Sequence, residues 1–130
     1  MLIGVVAGLL VVASVITLER RFRVDDPVGA ISVHGVCGAW GALALGVFAD
    51  GSSGAGWNGV AGPVRGLVFG DPSQLAAQAI GVVTNVVFVF AAAFGFFKLV
   101  DRLIGNRVPP DVEWAGLDSM EMGSEAYPPG

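Results

Sequence analysis

Residues 25–49 read DDPVGAISVHGVCGAWGALALGVFA, and this stretch decides the fold. From Pro27 onward, its only ionisable side chains are those of His34 and Cys37. A helix of about 20 apolar residues crosses the roughly 30 Å hydrocarbon core of a bilayer. The stretch therefore predicts a membrane-spanning helix that contains the only histidine of the chain.

Two further apolar runs, residues 2–18 and 75–100, lie on either side of this stretch. The chain has 130 residues, of which 54% are hydrophobic and 14% are charged, and this balance is too apolar for a soluble domain. Unpaired backbone polar groups cannot face lipid, and no alternating pattern indicates a barrel. We expect an all-α membrane protein with helices near residues 2–19, 26–49 and 73–104 that bury His34 against protein and not against lipid.

The start of the second helix has a clear signal in Asp26 and Pro27. Aspartate is a good N-cap residue, and proline suits the first helical position because it needs no N–H donor there. Asp25 and Asp26 are predicted as cap residues that could also line a cytoplasmic cation exit. The helical rise then places His34 about a third of the way through the membrane.

Charge predicts the topology and the domain organisation. The positive-inside rule places the arginine-rich first connection and the C-terminus in the cytoplasm, so that the N-terminus and a loop at residues 50–74 are outside. Trp57 in that loop is predicted to anchor at the membrane interface. We expect a membrane domain over residues 1–107 and a cytoplasmic tail over residues 108–130. The loop predicted to lie outside carries only Arg65, whereas the basic residues on the predicted cytoplasmic side are Arg20, Arg21, Arg23, Lys98, Arg102 and Arg107.

The same composition excludes several functions. The net charge of −4 comes mostly from the acidic tail, which argues against nucleic-acid binding. With one histidine, one cysteine and no acidic pair inside a span, the chain offers neither a metal site nor a nucleophile and base. We therefore predict no enzyme activity, no cofactor and no metal, and we interpret Cys37 as a packing residue.

Two interpretations of His34 follow from the residues alone. A histidine inside a membrane span is costly unless it is hydrogen-bonded or lines a cavity. It could bond to a neighbouring helix as a structural group, or line a conduit where its imidazole relays a proton. The glycines around it, Gly35, Gly38 and Gly41, indicate close helix packing.

Two motifs carry a resemblance to a known family. Residues 24–51, VDDPVGAISVHGVCGAWGALALGVFADG, and residues 116–128, GLDSMEMGSEAYP, are similar to the C-terminal third of the ammonium transporter family (Amt/Mep/Rh), in its bacterial Amt branch. The three apolar runs would then correspond to the last three of the eleven membrane helices of that fold. The chain is accordingly expected to be a fragment, a truncated gene model or one piece of a split protein.

The resemblance implies a homotrimer in the inner (plasma) membrane that passes ammonium or ammonia through one pore per subunit, in contact with membrane lipid. His34 matches the second of two histidines that face each other in that pore, and the first has no counterpart in this chain. The chain alone is therefore expected to be inactive. An alternative is a non-transporting membrane interaction protein that keeps the trimer surface and the signalling tail.

The resemblance also implies a regulatory role for the tail. In the family this segment can contact PII-type signalling proteins. The matching positions are Gly116, Leu117, Asp118, Gly123 and Tyr127. This chain departs from the family pattern at Trp114, where an acidic residue is usual, and at Met122, where a histidine is often found.

Overall fold

The computed structural model describes residues 1–53 and 61–124, and over these residues the chain is helical without strands. Three helices are long and apolar enough to cross a membrane: Leu2–Phe22, Ile31–Phe48 and Pro72–Ile104. They confirm the predicted all-α membrane fold. Trp57 and Tyr127, for which the sequence predicts an interface anchor and a regulatory residue, lie outside the described residues.

The first helix, α1, spans Leu2–Thr17 and continues as a π-helical turn over Leu18–Phe22. Its leucines and valines give it an apolar surface on every side, as expected for a helix within a membrane or protein interior. It ends at Arg23, whose φ of 55° is left-handed. The Val24 N–H donates to the Leu18 carbonyl at 3.0 Å and closes this end.

The second spanning helix begins later than predicted. It consists of a π-helical segment, Ile31–Val36, followed by α2, Cys37–Phe48. The expected start at residue 26 is wrong because Asp26 and Gly29 close a turn first, with the Gly29 N–H donating to the Asp26 carbonyl at 2.9 Å. Gly29 has a φ of 66°, which interrupts any helix begun at Pro27.

The connection from α2 to α3 brings the two helices together at one place. Its described residues include an isolated bridge between Asp50 and Arg65 and a 3₁₀ turn at Leu67–Phe69. Asp71 then caps α3, which spans Pro72–Ile104, by accepting a 2.9 Å hydrogen bond from the Ser73 N–H. The predicted boundaries of this third span are confirmed to within one residue.

Residue contacts divide the chain into two units, Met1–Val89 and Phe90–Gly130. The first unit contains α1, α2 and the start of α3, and Ala44 is the one buried hydrophobic residue among the residues that the structure describes. After α3, the second unit has a short helix, α4, at Pro110–Ala115 and a π-helical turn at Asp118–Met122.

Candidate functional site

The Asp26 carboxylate organises the start of the second spanning helix. Its side chain is 4% exposed, and it accepts hydrogen bonds from the backbone N–H of Ile31 at 3.0 Å and of Ser32 at 3.1 Å. The Ser32 hydroxyl lies 3.0 Å from the same carboxylate. Asp26 thus accepts hydrogen bonds from N–H groups at the start of the π-helical segment, five and six residues after it in sequence.

These hydrogen bonds also determine the protonation of Asp26. Burial by itself raises the pKa of the carboxyl, but the donors from Ile31 and Ser32 outweigh burial and hold the pKa below its usual value. The carboxyl is therefore ionised at neutral pH. The neighbouring Asp25 side chain is exposed and lines a shallow surface depression with Glu19 and Arg23.

Polar contacts join the second spanning helix to α1. The fully buried Ser32 hydroxyl lies 3.0 Å from the hydroxyl of Ser14. The Cys37 thiol donates to the Ala7 carbonyl at 3.3 Å, and the Trp40 indole N–H donates to the Ile3 carbonyl at 3.0 Å. Because successive contacts pair later residues of one helix with earlier residues of the other, the helices run antiparallel. Cys37 serves this helix contact, in line with its interpretation as a packing residue.

His34 lies in the π-helical segment, two residues after Ser32. In this segment the Cys37 N–H donates to the Ser32 carbonyl, five residues back. Single π-helical turns are frequent at functional sites because the extra residue per turn redirects the side chains around it. Ser32 contacts α1, whereas His34 is exposed on the surface of this chain and lines a groove toward α3.

This groove has a volume of about 450 Å³ and is walled by α2 with its preceding turn on one side and by α3 on the other. Small residues form most of the first wall, and Gln78 and Asn85 are the polar members of the second. The lining residues are His34, Gly35, Gly38, Ala39, Ala42, Gln78, Gly81, Val82, Asn85 and Val86.

Two glycines fix the closed end of the groove. A Cβ at Gly46 would lie 2.7 Å from the Cα of Leu75, so α2 and α3 approach backbone to backbone there. A Cβ at Gly66 would lie 2.6 Å from the carbonyl of Val47, which makes the connection equally close. No alanine fits at either position unless the chain moves. From this contact toward His34 the two helices flank the groove, which stays open on its remaining side.

Two predicted site residues, Asp26 and His34, are close in sequence, but their side chains lie in different places. Asp26 is buried at the start of the second spanning helix, and His34 lines the groove. Gln78 and Asn85 were missed, although a sequence signal existed. Each is an amide side chain within an apolar span, and they are seven residues apart, which puts both on one face of a helix. The imidazole and both amides can donate and accept hydrogen bonds. The described residues contain no group of side chains suited to hold a metal ion.

The predicted tail positions lie on an exposed segment. Arg107 and Glu113 form a two-pronged ion pair, with 3.0 Å between Nε and Oε2 and 2.7 Å between Nη2 and Oε1. Gly116 and Gly123 have φ values of 94° and 69°, which favour glycine. The segment that follows α4, from Gly116 through the turn that ends at Gly123, contains all four described tail positions. All four are exposed, including Leu117 and Asp118.

Together, the fold and the groove define a class: a helical membrane protein that spans the bilayer several times and carries a histidine in a groove between two spans. Within that class the chain belongs to the Ammonium Transporter Family, whose model matches residues 1–127.

Comparison with individual members of the family shows what fraction of their length this chain covers. It is 40% identical over 126 residues to ammonium transporter Amt2 of Archaeoglobus fulgidus, covering 97% of this chain and 26% of that protein. It is 33% identical to the ammonium transporter of Bacillus subtilis, covering 97% of this chain and 30% of that protein. The chain thus spans less than a third of the length of these relatives.

Proposed function

We propose that this chain forms one wall of an ammonium conduit, with His34 as a conduction residue that contacts ammonium or ammonia. The observation that carries the proposal is the position of His34 in a groove of about 450 Å³ walled by small residues and two amides. Membership of the family supports the same substrate. The activity is transport and not catalysis.

The chemistry of the substrate explains the need for an imidazole. An ammonium ion that enters an apolar passage loses its hydration at a large cost in free energy. Separating the ion into neutral ammonia and a relayed proton lowers that cost. Imidazole suits the relay because its pKa is ordinarily near neutral and its two nitrogens can accept and donate.

A complete conduit needs protein that covers the open side of the groove. His34 is exposed in this chain, although the sequence predicts that protein surrounds it. The expectation of burial is not met among the residues that the structure describes, and we propose that further helices cover the groove and supply the second histidine. The isolated chain is then inactive, since it has one histidine and spans 26% to 30% of the length of the two relatives above.

The remaining features follow from the family resemblance. We propose a homotrimer in the inner membrane with residues 1–107 in the membrane domain, the N-terminus outside and the tail in the cytoplasm. Asp25 and Asp26 would lie beside the cytoplasmic exit. The tail, with Leu117 and Asp118 in its exposed turn, would receive a PII-type signalling protein.

Methylammonium uptake tests the proposal. In a chimera, residues 1–126 replace the matching segment of Amt2 of Archaeoglobus fulgidus, and uptake is measured in cells that lack their own ammonium transporters. We expect uptake by the chimera and none by the 130-residue chain alone. A correctly inserted chimera without uptake would contradict the proposal and favour the alternative of a membrane interaction protein. Uptake by the chain alone would contradict its inactivity.

A further inference from the structure

Two of the three amide side chains of α3, Gln78 and Asn85, line the groove. Gln78 is half-buried and Asn85 is exposed, and both line the groove on the wall opposite His34. Thr84, beside Asn85, is a polar residue of the same span that is not among the groove-lining residues of the described chain. Gln78 and Asn85 therefore lie on the face of α3 that forms the groove with His34, whereas Gln74 and Thr84 are not among the lining residues of the described chain.

Asn85 lies at nearly the same depth as His34. The helices are antiparallel across their contact at Gly46 and Leu75, so equal steps away from that contact reach equal depths. Asn85 is ten residues beyond Leu75, and His34 is twelve residues before Gly46. At 1.5 Å per residue these steps are roughly 15 Å and 18 Å, a difference of less than one helical turn.

The size and chemistry of the groove suit small hydrogen-bonding molecules. Its volume of about 450 Å³ compares with about 30 Å³ for each molecule of liquid water. Lipid chains in the groove would leave an imidazole and two amides without partners, at a cost that membrane proteins avoid. A small guest can bond to both walls, because the imidazole and the amides each donate and accept.

We propose that Asn85 is a second binding residue of this groove, whose amide holds the small hydrogen-bonding guest, water or ammonia, that His34 contacts from the opposite wall. This inference deepens the proposed function and rests on it for the substrate. Gln78 extends the same polar wall toward the contact between Gly46 and Leu75. Asn85 thereby keeps the guest beside the imidazole that relays the proton.

The single histidine makes the test specific, because imidazole nitrogen signals in ¹⁵N-labelled protein come from His34 alone. The full chain in lipid nanodiscs is titrated with ammonium chloride at constant pH and ionic strength while these signals are recorded. Magnetisation transfer from water to the imidazole is measured in parallel. The variants are Asn85→Leu, the conservative Asn85→Gln, and Thr84→Val as a matched control. Circular dichroism checks that each variant keeps its helices.

For Asn85→Leu we expect a higher ammonium concentration to be needed for half of the maximal change in the imidazole nitrogen chemical shift. The increase should be about fivefold, as expected for the loss of one hydrogen bond. Asn85→Gln should restore most of the response, and Thr84→Val should match the wild type. If ammonium causes no shift but water transfer weakens in Asn85→Leu, the guest is water and the inference holds. Equal behaviour of Asn85→Leu and wild type in both measurements would overturn it. The inference would also be overturned if the wild-type imidazole showed neither a chemical-shift change with ammonium nor magnetisation transfer from water. The uptake of the chimera is measured separately, so failure there is distinguishable from failure here.

Discussion

Gly46 holds α2 and α3 together, and its replacement by alanine tests whether this contact is as close as described. An added Cβ would lie 2.7 Å from the Cα of Leu75 and 3.3 Å from its backbone nitrogen, whereas ordinary contacts begin at 3.4 Å. The obstacle is backbone, so no side-chain rotation relieves it. The helices must part by 0.7 Å to restore an ordinary contact, the difference between 3.4 Å and 2.7 Å.

The cost of this separation can be isolated with a second alanine. Gly41 lies on the same helix, and a Cβ there would meet nothing within 4 Å among the described residues. Both substitutions gain the helix propensity of alanine, about 1 kcal/mol, so the difference between the variants reports the clash. Overpacking of this kind costs about 1–3 kcal/mol.

We therefore expect the free energy of unfolding of Gly46→Ala to lie about 1–3 kcal/mol below that of Gly41→Ala. The measurement is denaturant-induced unfolding of the chain in detergent micelles, followed by circular dichroism. Equal stability of the two variants would refute the close approach of α2 and α3 and with it the closed end of the groove.

Three more predictions concern the hydrogen bonds and the tail. Ser32→Val removes the hydroxyl that contacts the Asp26 carboxylate and the Ser14 hydroxyl, while Asp26 keeps its two backbone donors, so the free energy of unfolding should fall by about 1–3 kcal/mol in the same assay; no loss would contradict the described network. Because the folded pKa of Asp26 lies below its ordinary value of 3.8, its stabilising effect is complete above that value and is lost as the pH falls through the lower folded pKa. Asp26→Asn should therefore make the free energy of unfolding less dependent on pH below 3.8. An unchanged pH dependence in that range would contradict this role of Asp26. Arg107→Ala should leave overall stability nearly unchanged, because the side chains of its ion pair are 75% and 47% exposed; a chain that fails to fold would contradict the exposed position of that pair.

The sequence predicts the fold well where one physical signal dominates. Long apolar runs predict the spans because a helix needs only sufficient length and apolar side chains to cross a bilayer. The ends of α3 are predicted to within one residue. The start of the second span is not predicted. Asp26 and Pro27 are a typical helix start, but the left-handed Gly29 allows a turn that the pattern does not distinguish from a first helical turn.

The site is less predictable than the fold because it depends on how helices meet. His34 is evident as the only histidine, whereas its companions Gln78 and Asn85 are far away in sequence. Their importance depends on the close contact of Gly46 with Leu75, and a glycine in a sequence does not reveal which backbone it touches. The sequence predicts burial of His34 against protein, but the described residues leave it exposed, because its burial depends on what covers the groove.

Ammonium-evoked current tests most directly whether His34 is a conduction residue. The chimera that carries residues 1–126 is reconstituted in proteoliposomes on a solid-supported membrane and compared with its His34→Ala and Gly41→Ala variants. We predict that His34→Ala abolishes the current while the chimera still assembles, because the substitution leaves the close contact between Gly46 and Leu75 in place, and that Gly41→Ala conducts. An undiminished current in a correctly assembled His34→Ala chimera would contradict the role of His34.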